Sequence, residues 1–357
     1  MPSENQMRAA NFQQWWQRSN SAPLVLSYAR VPFPVSGLDV DVPPAQILER
    51  KLQNLAVERQ IPNDILLTLR VEYSMGFLPA LCGAGFEYNE HTSWAIPCCD
   101  AITDLKIPAF SDTHPLMQAY LARWEPILSH WSWDTYLPGM ITMFGPGDLL
   151  SGLIGPTRLA EEIYDHPDFV KGKAMEAAHW MRDFAAYEIR RRRQAGLIGG
   201  IPTAFRHWLP GDGFLISEDF TALIGSRTYR EFFSAADRHL TEGFDSCVFH
   251  IHTVGNQVLS SVLEAPFFQG MEISNDVNNQ DLPRFIRGAQ AIQARGYPIQ
   301  VSNWEHPLAR ADMETLLAAL DPRGLLIGFT SEDMSEAREI YNWVKEFYPV
   351  EQLRITR

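Results

Sequence analysis

Cysteine is scarce in this chain of 357 residues: Cys82, Cys98, Cys99 and Cys247 are all it has, and none follows position 247. They form no disulfide framework, and the vicinal Cys98-Cys99 pair lacks the C-x-x-C redox spacing, so a reducing compartment, the cytoplasm, is the simpler expectation. Basic charge is also in deficit. Lys and Arg number 30 against 43 Asp and Glu, a formal net charge of −13. A nucleic-acid binder needs the opposite balance to displace counterions from phosphates. Long apolar runs are missing, since charges or prolines interrupt each one well before the length of a membrane span. The N-terminal residues have no charged-then-apolar-then-small pattern of a secretory leader. Glycine-rich phosphate turns of the GxGxxG or Walker type are absent too, which argues against an open nucleotide-binding sheet.

What the chain does have is hydrophobic content, 46% of its residues, enough for a large core. Residues 1–60 read as an N-terminal arm. It holds a short aromatic helix over Asn11 to Arg18 and an amphipathic helix over Ala45 to Arg59, with proline-rich loop between them. Residues 61–357 read as the main body. Ile65 to Tyr73 is expected as its first buried strand, residues 74–113 as an excursion over the mouth, and His114 to Trp131 as a helix interrupted near Pro126. From Gly139 the pattern becomes regular. Strands are expected at 140–144, 214–220, 245–252, 270–276, 298–304 and 324–329, each followed by helix. The long stretch Asp168 to Gln194 ends in Arg190-Arg191-Arg192-Arg193, read as a solvated helix end. Strand–helix units at such short spacing demand parallel strands. The predicted fold is α/β, a single (β/α)8 TIM-type barrel with an N-terminal helical and loop extension.

In a parallel barrel, functional groups gather where strands end and loops begin. Four late strands start apolar and finish polar, at Glu218-Asp219, His250-Ile251-His252, Ser274-Asn275-Asp276 and Ser302-Asn303-Trp304-Glu305-His306. His250 and His252 are two apart on a strand, so both imidazoles point the same way and could share one metal, one anion or one substrate. Asp276 stands where a barrel-mouth base or substrate clamp belongs. Glu218 and Asp219 are adjacent and face opposite ways, so at most one of them faces inward. Arg70 and Glu72 share a face of the expected first strand, as a buried ion pair would. Ser331 reads as the N-cap of the last helix. Trp208 and other tryptophans either line a pocket or belong to the core.

The segments Glu218-Asp219-Phe220-Thr221-Ala222-Leu223-Ile224-Gly225, Tyr229-Arg230-Glu231-Phe232, Phe249-His250-Ile251-His252-Thr253-Val254-Gly255-Asn256 and Met271-Glu272-Ile273-Ser274-Asn275-Asp276 resemble the uroporphyrinogen decarboxylase and corrinoid methyltransferase superfamily. Weaker similarity reaches back through Gly145-Pro146-Gly147-Asp148. The resemblance implies a distorted TIM barrel and either of two chemistries. Methyltransferases of this superfamily hold zinc through His-x-Cys and a later Cys; here His252 stands in place of the first Cys and the later one is missing. Zinc would then need His250, His252 and a carboxylate such as Asp276 or Glu305, an N/N/O set compatible with an open position. Methyl or other one-carbon transfer to a small molecule is the leading expectation, with Asp276, Glu218 and Asp219 as catalytic groups. Arg30, Glu72, Trp208, Asn303 and Glu305 would bind substrate. The methyl donor, corrinoid or folate, is left open, and a corrinoid protein and a second copy of the chain are the expected partners. The alternatives are a metal-free lyase gripping a carboxylated substrate through Arg30 and Arg70, and a non-catalytic small-molecule binding barrel.

Overall fold

The computed structural model describes residues 1–348 except 265, 276–280 and 304–307. Its frame consists of parallel strands: β1 Leu24–Ala29, β2 Thr68–Leu69, β3 in two pieces (Leu137–Pro138 and Met143–Phe144), β4 Gly213–Ser217, β5 Ser246–His252, β6 Gly270–Ser274, β7 Ile299–Asn303 and β8 Leu325–Ser331. The first piece of β3 pairs with β2 and the second with β4; β4 to β8 pair in succession, and β8 pairs with β1. From β2 onward each strand therefore pairs with the next in chain order and β8 returns to β1, the arrangement of a (β/α)8 barrel. Between β1 and β2 there is no ladder among the described residues. The two segments meet where Asp64 N–H donates to Val25 O at 2.8 Å and Asp64 Oδ2 accepts from Val25 N–H at 2.7 Å.

The late strands sit close to where period-two patterning puts them. The early ones do not. The buried strand expected over Ile65 to Tyr73 shrinks to the two residues of β2, and Leu24–Ala29, expected in the arm, is a strand of the main sheet. The arm's aromatic helix spans Glu4–Trp16, opened by a Ser3/Gln6 capping box. It turns Asn5, Ala9, Phe12 and Trp15 into the foot of the barrel beside Leu24, Leu326 and Trp208. Those aromatics are thus core. The helix Pro115–His130 runs unbroken through Pro126. In the long helix Pro167–Gln194, Arg192 is fully buried. It pairs with Glu188 at 2.8 Å and donates from Nε to Pro138 O at 3.3 Å, so part of the expected solvated end instead ties the helix to β3. Ser331 closes β8, and Asp333 caps the last helix, Met334–Phe347. Among the described residues, no helix is long and apolar enough to cross a membrane.

One insertion shapes the interior. Before β4, Ile201–Pro202 and Trp208–Leu209 form an antiparallel hairpin. Met140 N–H donates to Pro202 O at 2.8 Å, and Arg70 Nη1 donates to Ala204 O at 2.9 Å. Its turn holds Arg206 at φ 71°, a left-handed backbone that a non-glycine side chain rarely adopts.

Candidate active site at the strand ends

Alternation along β5 puts Val248, His250 and His252 on the inner face, while Phe249 and Ile251 join the outer core. The imidazole centroids lie 4.8 Å apart with planes at 85°. After Ser217 the chain leaves β4 in a short 3-10 turn, Asp219–Leu223. Asp148, in the helix Pro146–Ile154, secures that turn: it accepts from Asp219 N–H at 2.9 Å and from Phe220 N–H at 2.7 Å. The turn carries Asp219 over the histidines. Its Oδ1 lies 3.6 Å from His250 Nε2 and 3.6 Å from His252 Nε2.

Glu272 on β6, paired in register with His250, meets His250 Nδ1 through Oε2 and accepts from Ser274 Oγ at 2.8 Å. Both partners are buried. Burial works against each charge, but each offsets it for the other: Glu272 is held below the usual carboxylate range, and His250 is pushed up to about 9. The Phe205 ring stacks on His250 at 4.6 Å. Asp219 and His252 remain partly open to solvent, so the cluster has a closed side and an open one.

Asp219, His250 and His252 offer ligand atoms that all lie within 4.8 Å of one another. Donors at about 2.1 Å from one tetrahedral zinc stand roughly 3.4 Å apart, which the two 3.6 Å separations approach. Glu272 on the far nitrogen of His250 is the carboxylate partner that metal-binding histidines commonly have. The residues present therefore fit zinc, with two imidazoles and one carboxylate and an open side for a further ligand.

Of the pair left undecided by sequence, Asp219 joins the histidines and Glu218 does not. Glu218 is buried against the close-approaching glycines 145 and 147, accepts from Gly147 N–H at 3.0 Å, and is raised well above its ordinary pKa by burial and by Asp237. Trp208, expected to bind substrate, is core at the foot of the barrel, its carbonyl accepting from Trp16 Nε1 at 2.8 Å. Asn303 is buried at the end of β7, where its Oδ1 accepts from Asn275 Nδ2 at 3.1 Å. Arg30 and Glu72 line a separate cavity between β1 and β2. Arg70 and Glu72 do pair, at 3.2 Å, but on that cavity's wall and partly exposed. Asp276 and Glu305 lie outside the described residues.

Sequence reading passed over Glu272, Asp148 and Phe205. Glu272 had a usable signal: a lone charge inside Met271-Glu272-Ile273, on the same strand parity as Ser274. Asp148 acts across 71 residues and Phe205 through a hairpin turn, and neither has a local pattern.

A barrel with histidines and acids at the carboxyl ends of its strands is the class that fold and site define. Among solved structures the chain is similar to a methyltransferase from Methanosarcina mazei, with TM-score 0.66 and 12% identity over 95% of this chain and 98% of that one. A B12-independent methionine synthase from a Shewanella species, in complex with selenomethionine, aligns at TM-score 0.46 and 9% identity over 93% of this chain and 98% of that one. The first likeness shows the shared fold. No protein-family model and no curated protein matches the chain.

Proposed function

We propose that the chain is a divergent enzyme of the uroporphyrinogen decarboxylase and corrinoid methyltransferase superfamily that transfers a methyl or other one-carbon group to a small molecule, with zinc held by Asp219, His250 and His252. The observation that carries this reading is the convergence of those three side chains at the barrel mouth. The shared fold with a methyltransferase and the resembling motifs support it by analogy. When bound, zinc would supply Lewis acidity, lowering the pKa of an acceptor group placed at its open side.

The chain's own residues do the rest. Glu272 fixes the orientation of the His250 ring through Nδ1, with Nε2 turned to Asp219. Asp148 fixes the backbone that presents Asp219. Phe205 covers the ring of His250 and keeps water from that side. An N/N/O set is harder than a thiolate-rich one, so the acceptor favoured at this site is an oxygen or nitrogen nucleophile over a thiol.

The test is elemental analysis of purified protein from zinc-supplemented culture, with His250→Ala and His252→Ala beside it. About one zinc per chain in the parent, lost in both variants, is expected. A metal-free parent that also fails to take up added zinc would overturn the reading.

A further inference from the structure

Beside Asp219 a cleft of about 390 Å³ runs along the helix Pro146–Ile154. Its other wall belongs to the excursion between β2 and β3, where Gly85–Tyr88 and Ser93–Ile96 pair as an antiparallel hairpin. Ser93 anchors that hairpin to the body: its Oγ donates to Tyr73 O at 2.7 Å and accepts from Gly76 N–H at 2.8 Å. Alternation along the strand then turns Trp94 outward, and 40% of it stays exposed. Its Nε1 donates to Glu87 Oε2 at 3.1 Å, which holds the indole where it lines the cleft. Met75, also exposed, lines the same space with Pro79 and Phe144. The two walls are packed tightly together, since a Cβ at Gly152 would stand 2.6 Å from Pro79 Cγ. A preformed apolar cleft with an exposed tryptophan and methionine, ending at a candidate metal ligand, is suited to the body of a small molecule.

Its charge separates it from the wedge-shaped cavity between β1 and β2. That wedge is lined by five Lys and Arg side chains, Arg70 and Arg206 among them, against two carboxylates. Among the described residues, the cleft beside Asp219 has no Lys, Arg or His in its lining, so an anionic body would be desolvated there without a counter-charge. A cationic body fares no better. The two carboxylates of the lining are Asp148, which already accepts from Asp219 N–H and Phe220 N–H, and Asp219, a zinc ligand in the function proposed above. Asp219 and Glu272 set two negative charges against the two positive charges of zinc, so the occupied centre has no net pull on an ammonium.

From this lining we infer, resting on the proposed zinc site, that the cleft selects an acceptor alcohol with an uncharged, apolar body, its hydroxyl toward Asp219 and its body against Trp94 and Met75. Aliphatic amines are protonated near neutral pH, so of the oxygen and nitrogen nucleophiles that a hard site favours, the alcohol is the one this lining accepts. Trp94 and Met75 are then specificity-determining residues, carried on a hairpin outside the barrel frame.

Calorimetry on the full chain from zinc-supplemented culture compares three alcohols of one shape: para-tert-butylbenzyl alcohol, its para-trimethylammonio analogue and its para-sulfonate analogue. The uncharged alcohol is expected to bind at least about tenfold more tightly than either ion. Trp94→Ala should weaken it by roughly three- to tenfold. Met75→Lys keeps the length of the side chain and adds a cation, and should bring the sulfonate to within about threefold of the uncharged alcohol. An ion that the parent binds as tightly as the uncharged alcohol, no heat from that alcohol up to roughly 1 mM, or a folded Trp94→Ala variant that binds all three like the parent would each overturn the inference. Elemental analysis of the same samples separates the two readings. A parent without zinc that keeps the order of the three alcohols counts against the proposed function alone, and a zinc-loaded parent that binds them alike counts against the cleft alone.

Discussion

The ends of β4, β5 and β6 and the wedge between β1 and β2 are two poles of one barrel. At the first, acids and histidines crowd together and bond one another and the backbone: Glu272 with His250 and Ser274, Asp148 with two backbone N–H groups. At the second, cations outnumber acids. A single net charge for the chain hides this division. The first pole gathers acids and imidazoles, the second an excess of cationic side chains.

The largest expected effect that would sharpen this contrast comes from His250→Ala. It strands Glu272 as a buried unpaired charge, so stability should fall by about 3–5 kcal/mol in urea unfolding, as well as zinc being lost. A loss below about 1 kcal/mol would show that the pair is not the electrostatic centre of that pole.

Next comes Asp237, buried near Glu218 and bonded by the Tyr229 hydroxyl at 2.5 Å. Burial raises it from 3.8 to about 7. An acid with a raised folded value stabilises fully below its unfolded value, and the contribution is lost as pH rises through the folded one. Between about pH 4 and 7 the parent should therefore lose on the order of 4 kcal/mol, and Asp237→Asn should flatten that slope. Urea midpoints measured across this range decide the matter, and parallel slopes for the two proteins would remove Asp237 from the account.

Glu272→Gln keeps the volume but removes the charge that orients His250. Zinc affinity should fall by about 10- to 100-fold, measured by chelator competition, with the fold retained. The smallest effect belongs to the other pole. Arg30 meets Glu332 at 2.8 Å with both side chains about half exposed, so Arg30→Ala should shift stability by no more than about 0.5 kcal/mol and leave zinc content unchanged. A loss of zinc in that variant would break the separation of the poles.

Much of the regular half of the fold is legible in the sequence, because there each strand is a short apolar run with a polar finish and a helix of clear period behind it. Leu24–Ala29 hides among prolines and lies far from the next strand, so no alternation of elements announces it. β2 is only two residues long and has no period to read. At the site, strand parity is enough to put His250 and His252 together. Parity cannot choose between Glu218 and Asp219, because the chain leaves the strand after Ser217 and a turn secured by Asp148 redirects both. Glu272 is readable only once its register against His250 is known.

The turn at 203–206 has a further consequence for anyone wishing to redesign this protein. Phe205 forms a face of the histidine pole and Arg206 a wall of the wedge, on consecutive residues of a hairpin that belongs to no barrel strand. Exchanging that turn by loop grafting would retune both chambers at once while every frame strand kept its sequence. Two chambers of the scaffold thus share one exchangeable turn.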